Sequence, residues 1–173
     1  MQQLITEKYR ELNRRLHASD PVFGTGGFKV AHIIEKMVRV MGYKDVLDYG
    51  CGKGQLSKKL GPYVRNYDPA VAKFNYEPTP ADLVVCRDVM EHVEEEYIDG
   101  VLDHIKQLAL KAAYFEIAVR PARKKLEDGR NAHISIHPIP WWKEKLERNF
   151  VVQPQLMLDN DVFICMCFPK VDE

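Results

Sequence analysis

At 173 residues the chain is the size of one domain and long enough to bury a substantial core. Its 25 Lys and Arg balance 25 Asp and Glu, so no global field draws it onto nucleic acid or an anionic membrane. The four cysteines, Cys51, Cys86, Cys165 and Cys167, form no CxxC pair, which excludes a zinc finger and a disulfide scaffold.

The N-terminal stretch MQQLITEKYRELNRRLH is charged from Glu7 onward and has neither the apolar core of a signal peptide nor a run of bilayer length. A cytoplasmic protein is expected. Residues 3–17 read as a helix with Leu4, Tyr9, Leu12 and Leu16 on one face. SDPVFGTGG (19–27) breaks it, and its glycines suit either a hinged flap or a linker. FKVAHIIEKMVRVMG restarts a helix that Gly42 ends. The expected organisation is an N-terminal helix and glycine-rich flap over 1–27, followed by the main unit over 28–173.

KDVLDYG (44–50) is a buried-strand candidate running into glycines, followed by a helix near 55–60. YVRNYD (63–68) and ADLVVC (81–86) are the second and third strands; the third leads into a helical stretch from Asp88 to Leu110, and AAYFEIAV (112–119) is the fourth. Such alternation predicts an α/β fold, a parallel sheet with helices on both faces. FVVQPQLML and VFICMCF are separated only by DND, too short for a crossover, so they must form an antiparallel hairpin at the end of the chain. Cys165 and Cys167, inside VFICMCF, read as buried thiols.

LDYGCGKG places Gly50, Gly52 and Gly54 between a strand and a helix, where glycine lets backbone approach a ligand and turns helix N-terminal amides toward an anion. An acid precedes the motif at Asp48, and Asp68 ends the next strand, 18 residues after Gly50. A carboxylate there suits the two hydroxyls of a ribose. The third glycine comes one residue too early for the GxGxxG of NAD-binding folds. With these residues, the step ADLVVCRDVMEHV and the C-terminal hairpin, residues 28–168 resemble the class I methyltransferases that use S-adenosylmethionine. The resemblance implies a Rossmann-like fold with Gly50, Cys51 and Gly52 against the amino-acid end of the cofactor. Asp48 would support that end, Asp68 would hold the ribose, and Asp88 would lie at the same site.

One departure from that family is visible. Only 13 residues, PAVAKFNYEPTPA, separate Asp68 from Asp82, three of them proline. This is close to the minimum for a crossover with its helix, and too little for a helix and a further strand. The usual third strand and its helix are therefore expected to be missing. Fully extended, the segment reaches at most ~45 Å, enough to cross one strand spacing of ~5 Å and return along the sheet. Phe74 or Tyr76 could then cover the adenine, or pack on the sheet edge.

DVMEHV (88–93) admits several readings. Asp88 and Glu91 have the spacing of a capping box. His92, one helical turn beyond Asp88, is left over by that account. DGRNAHISIHPIPWW (128–142) brings His133 and His137 to the same edge of the sheet, and carboxylates with imidazoles make a divalent-metal site. This combination is similar to that of the small-RNA 2′-O-methyltransferases and, more loosely, the quinone-biosynthesis O-methyltransferases. The similarity implies Glu91, His92 and His133 as metal ligands, with Asp88 where glutamate is more usual. Direct acid/base work is the third reading, with His133 as first choice of base and His137 as second.

Residues 120–130 carry Arg120, Arg123, Lys124, Lys125 and Arg130 against Glu127 and Asp128, which suits either a solvated loop or recognition of phosphate or carboxylate. Of Trp141 and Trp142, one is expected to pack under the sheet; its neighbour points elsewhere and could line a substrate pocket. The functional expectation is O-methylation of a small molecule, with an anionic acceptor in view. Methylation of nucleic acid is one alternative; a non-catalytic binding protein of the same fold is another.

Overall fold

A computed structural model describes residues 3–154 and 161–171. Strands β1 (Val46–Tyr49), β2 (Val64–Tyr67), β3 (Ala81–Arg87), β4 (Ala109–Ala118), β5 (Phe150–Pro154) and β6 (Val162–Pro169) form one sheet in the order β2-β1-β3-β4-β6-β5. The first four are parallel, with Asp48 beside Asn66 and Val85, and β6 runs antiparallel to both β4 and β5. The mostly parallel sheet with its antiparallel hairpin is the arrangement expected from the sequence. The turn expected at DND lies mostly outside the described residues.

The helices are α1 (Glu7–Ser19), α2 (Ala31–Met41), α3 (Gln55–Leu60), α4 (Ile98–Leu108) and α5 (Ile139–Glu147). Consecutive strand side chains point to opposite faces, so the apolar run 83–86 of β3 feeds two cores. Leu47, Val84 and Cys86 meet Val101, Ile105, Trp142 and Leu146 of α4 and α5. Val46, Leu83 and Val85 meet Ile34 and Leu56 of α2 and α3. All four cysteines are free and buried. Among the described residues, no helix is long and apolar enough to cross a membrane.

No strand forms between Asp68 and Ala81, so β2 is the edge of the sheet and the usual third strand is absent. The single helix expected from Asp88 onward is instead two 3₁₀ turns, Met90–His92 and Glu95–Tyr97, followed by α4. Side chains along this stretch are claimed from outside: Glu91 accepts the Ala118 amide, and Glu94, between the two turns, accepts both the amide and the hydroxyl of Thr6 at the start of α1.

Candidate active site

The carboxyl ends of β1, β2 and β3 meet at the glycine turn. Gly50 and Cys51 both donate their amides to the Tyr67 carbonyl, at 2.7 and 3.0 Å, which folds the turn back over β2. Gly50 and Gly52 have φ of 75° and 52°, the left-handed region that glycine enters without a Cβ penalty. A Cβ at Gly50 would lie 2.4 Å from Val89 Cγ2, and one at Gly52 would lie 2.6 Å from the Gly24 backbone. The turn is thus covered on one side by Val89 and on the other by the 19–27 segment, whose Gly24 carbonyl accepts the Lys53 amide at 2.8 Å.

Two carboxyls flank the turn. Asp68 Oδ2 accepts the Gly52 amide and Oδ1 the Ala70 amide, both at 2.9 Å, so its orientation is fixed. Asp48 is buried with Oδ2 unpartnered. Burial, and then the nearby charge of Asp68, push its carboxyl up to about 7, while Arg87 pulls the other way. Arg87 donates to Glu116 at 2.9 Å and reaches Asp88 at 3.3 Å. Its guanidinium fills the space a side chain at Gly26 would need, 1.8 Å from a Cβ there. Cys51 lies in the turn with its thiol pushed up by burial and then by Asp48 and Asp68, so it is a neutral filler.

Asp88 is the one non-glycine residue with positive φ, 59°, among the described residues. This strained backbone turns the chain sharply at the end of β3, where its amide is donated to Glu116. No capping box forms: Asp88 is out of helical range, and Glu91 Oε1 accepts from Ala118 at 2.8 Å. Glu91 is fully buried, and burial followed by the charge of Asp88 raises its carboxyl well above the usual range, which favours its protonated form. Asp88 itself is held below its usual value: desolvation opposes this, but Arg87 and then His92 outweigh it.

The Glu91 carbonyl accepts the Ser135 amide, and Ser135 Oγ donates to the Val93 carbonyl, stitching the 131–137 loop onto the Met90–His92 turn. His133 is thereby laid against His92, ring centroids 4.8 Å apart and nearly perpendicular. One donor atom each from Asp88, His92 and His133 lie within 4.8 Å of one another. Asp88 joins the imidazoles here, whereas Glu91, expected as a ligand, lies outside the group with Oε1 tied to the Ala118 amide of β4. His133 Nδ1 is 2.7 Å from the Arg120 carbonyl. A carbonyl only accepts, so Nδ1 carries hydrogen and the neutral ring keeps its lone pair on Nε2. His92 has its Nδ1 unpartnered; burial, then the neighbouring His133, lower its pKa to about 4.

His137 lies apart from this group, stacked on Trp141 with centroids 3.7 Å apart and its Nε2 3.6 Å from Glu95. Trp142 is fully buried in the core, as expected of one tryptophan of the pair; Trp141 packs on His137 rather than lining the main cavity. Phe74 lies against Gly54, and the Tyr76 hydroxyl donates to the Asn66 carbonyl at the sheet edge, so neither reaches the cavity. Three cations of the basic loop are paired: Arg120 with Asp161, Lys124 with Asp20, and Arg130 with Asp128.

The main cavity opens between the glycine turn, the Met90–His92 turn and α1. Asp68, Asp88, His92, Tyr49 and Tyr67 line it together with Tyr9, Asn13 and His17. His133 sits one layer behind His92, where it also borders a shallow cleft with Glu94–Glu96 and Arg130. Sequence reasoning missed the α1 residues and Arg87. Tyr9, Asn13 and His17 recur every four residues, which places them on one helix face, and that polar repeat was the available signal.

The profile of a family described as a methyltransferase domain matches residues 6–155. Among curated proteins nothing matches. Among solved structures, PH0226 protein from Pyrococcus horikoshii OT3 superposes with a TM-score of 0.66 at 13% identity, covering 90% of this chain and 99% of that one. The 1,6-didemethyltoxoflavin N1-methyltransferase of Burkholderia thailandensis, with bound 1,6-didemethyltoxoflavin and S-adenosylhomocysteine, gives 0.63 at 14% identity, covering 99% and 93%. Magnesium protoporphyrin IX methyltransferase from Synechocystis PCC 6803, with bound S-adenosylhomocysteine, gives 0.57 at 17% identity, covering 95% of each chain.

Proposed function

The chain belongs to the methyltransferase-domain family, and on that footing we propose that it carries a methyl group from S-adenosylmethionine to a hydroxyl oxygen of a small molecule. The observation that carries the reading is the glycine turn bracketed by two carboxyls, one of them, Asp48, buried with an oxygen that has no partner. A buried orphan acceptor calls for a donor, and the ammonium of an amino acid is a fitting one. Arg87, in the same small recess as Asp48, suits the carboxylate of that amino acid. Asp68, fixed by two amides, suits the ribose hydroxyls. Tyr49, Tyr67, Val89 and Val101 give the cavity an apolar side for the adenine in place of the missing strand.

When bound, the cofactor supplies an electrophilic sulfonium methyl. The residues of the chain then have three tasks: to align the acceptor, to exclude water and to take up a proton. Exclusion falls to α1 and the Phe23–Gly24 segment over the cavity. Proton removal falls to the His92–His133 pair, in which His92 lines the cavity and His133, packed against it, keeps an Nε2 lone pair through the Nδ1 contact to the Arg120 carbonyl. Calorimetry with S-adenosylhomocysteine, followed by turnover over phenols and alcohols, tests the reading; binding without any methylated oxygen in such a panel would sink the choice of acceptor atom. His133→Ala should lower turnover at least about 100-fold at unchanged cofactor affinity.

A second reading of the same cluster is favoured by the convergence of Asp88, His92 and His133 within 4.8 Å. Two imidazoles and a carboxylate suit a divalent cation with open positions. His92, neutral above pH of about 4, is ready to ligate. Such an ion would polarise an acceptor hydroxyl. Turnover that survives exhaustive EDTA treatment unchanged would rule it out.

A further inference from the structure

The wall of the main cavity holds three carboxyls, Asp68, Asp88 and Glu94, and no lysine or arginine. The cations nearest to it are engaged. Arg87, paired with Glu116 and Asp88, is the group assigned above to the cofactor carboxylate, Lys124 is bound to Asp20, and Arg130, which packs over the Tyr9 ring at 5.5 Å, to Asp128. Lys53 Nζ donates to the Asp20 carbonyl, and Arg10 pairs through Nη1 with the exposed Glu7, while its buried Nε has no partner; neither side chain is part of the wall. An acceptor carrying a carboxylate or phosphate would have to be desolvated beside like charges without a counterion, which is strongly unfavourable.

The same wall holds three side-chain atoms that are buried yet have no hydrogen-bond partner: Tyr9 Oη, His17 Nδ1 and His92 Nδ1. Tyr9 is 2% exposed. The adjacent Asn13 side chain lies close enough to act on the hydroxyl, but its amide is donated to the Tyr9 main-chain carbonyl at 3.0 Å, which leaves the hydroxyl without a well-formed hydrogen bond. Polar atoms left orphaned in a folded chain are rare, and three in one cavity point to a ligand that completes them. Between them the wall is apolar: Leu4, Ile5, Phe23 and Val93. His17, Phe23, His92 and His133 form a continuous row of rings, with centroid spacings of 4.7, 5.7 and 4.8 Å.

We propose that the acceptor is a small uncharged or cationic molecule seated between α1 and the Met90–His92 turn, hydrogen-bonded by Tyr9 Oη and His17 Nδ1, and that carboxylate and phosphate acceptors are refused. The proposal rests on the methyltransferase reading above and names the substrate class of that site. It makes α1 part of the acceptor site, as the element that reads the substrate.

The test uses full-length protein saturated with S-adenosylhomocysteine and matched probes that differ in charge: 4-hydroxybenzamide, tyramine, 4-hydroxybenzoate and 4-hydroxyphenyl phosphate, with a wider fragment set built on the same matching. Binding is read by calorimetry and ligand-observed NMR. Binders are expected in the neutral and cationic sets, with anionic counterparts at least about 10-fold weaker. Tyr9→Phe and His17→Leu should each weaken the best binder about 5-fold, the loss of one hydrogen bond. Tyr9→Phe should keep the melting temperature and the cofactor affinity, because the hydroxyl it removes has no partner in the free protein. Equal or tighter binding of the anionic probes overturns the proposal. So does a best binder indifferent to both substitutions, or the absence of any neutral or cationic binder while S-adenosylhomocysteine still binds. Failure to bind S-adenosylhomocysteine at all overturns the underlying reading instead.

Discussion

Replacing Asp48 with asparagine should stabilise the free protein near neutral pH and weaken its hold on the cofactor. The carboxyl is raised from its ordinary 3.8 to about 7, by burial first and by Asp68 second, against the pull of Arg87. A carboxyl with a higher pKa folded than unfolded favours folding in its protonated form. Its contribution is complete below about pH 4 and is lost as pH rises to about 7. Across that window of roughly three pH units the loss amounts to about 4 kcal/mol. Asparagine has no proton to lose, so the advantage of Asp48→Asn should grow from near zero at pH 4 to a ceiling of about 4 kcal/mol at pH 8. Urea midpoints of both proteins between pH 4 and 8 measure this, and the difference curve cancels the other titrating groups. Binding has the opposite dependence. If ionised Asp48 holds the cofactor ammonium, each binding event below pH 7 expels a proton, and log affinity should climb with a slope near one before levelling off above pH 7. In Asp48→Asn the slope should vanish and affinity should fall by about 10- to 100-fold, the range for a hydrogen bond between charged groups. Parallel stability curves, or equal affinities at pH 8, would refute the reasoning.

Gly52→Ala puts a Cβ 2.6 Å from the Gly24 backbone at a φ of 52°. It should cost about 1–3 kcal/mol of stability and weaken S-adenosylhomocysteine in calorimetry, since backbone cannot yield as a side chain can. Glu91→Gln should change the unfolding free energy by less than about 1 kcal/mol, because a neutral amide oxygen can still accept from Ala118, whereas Glu91→Ala should cost about 3 kcal/mol. Equal losses in the two variants would mean that the carboxyl acts ionised. Zinc or manganese at about 100 times its dissociation constant should stabilise the wild type by about 2.7 kcal/mol in thermal melts and leave the His92→Ala, His133→Ala double variant unmoved. Identical shifts in both proteins would remove the three-residue centre.

Much of this was legible because it depends on chain length and alternation. Strands separated by helices had to lie parallel, a three-residue connection had to make a hairpin, and 13 residues after Asp68 were too few for a helix and another strand. The site was less legible where long-range contacts override local pattern. D-x-x-E beside an apolar run reads as a capping box, but the left-handed backbone at Asp88 and the distant Ala118 amide take those two carboxyls elsewhere. His92 meets His133 because Ser135 is stitched to Glu91 and Val93, contacts between residues more than 40 positions apart that no window of sequence contains. In α1, Tyr9 reads as part of one face with Leu4, Leu12 and Leu16, although its ring serves a cavity wall and its hydroxyl is left open.

The shortened path between β2 and β3 bears on solubility. With the outer strand gone, β2 is a bare border where another chain's backbone could add on, the usual start of edge-to-edge aggregation. The 69–80 excursion closes that route. Arg65, on β2, grips the Thr79 and Pro80 carbonyls at 3.0 and 2.7 Å, and Tyr76 caps the Asn66 carbonyl. Its three prolines cannot donate to an incoming strand. What the fold gave up as a strand it keeps as a gatekeeper, and loosening the Arg65 grip should favour self-association along this border.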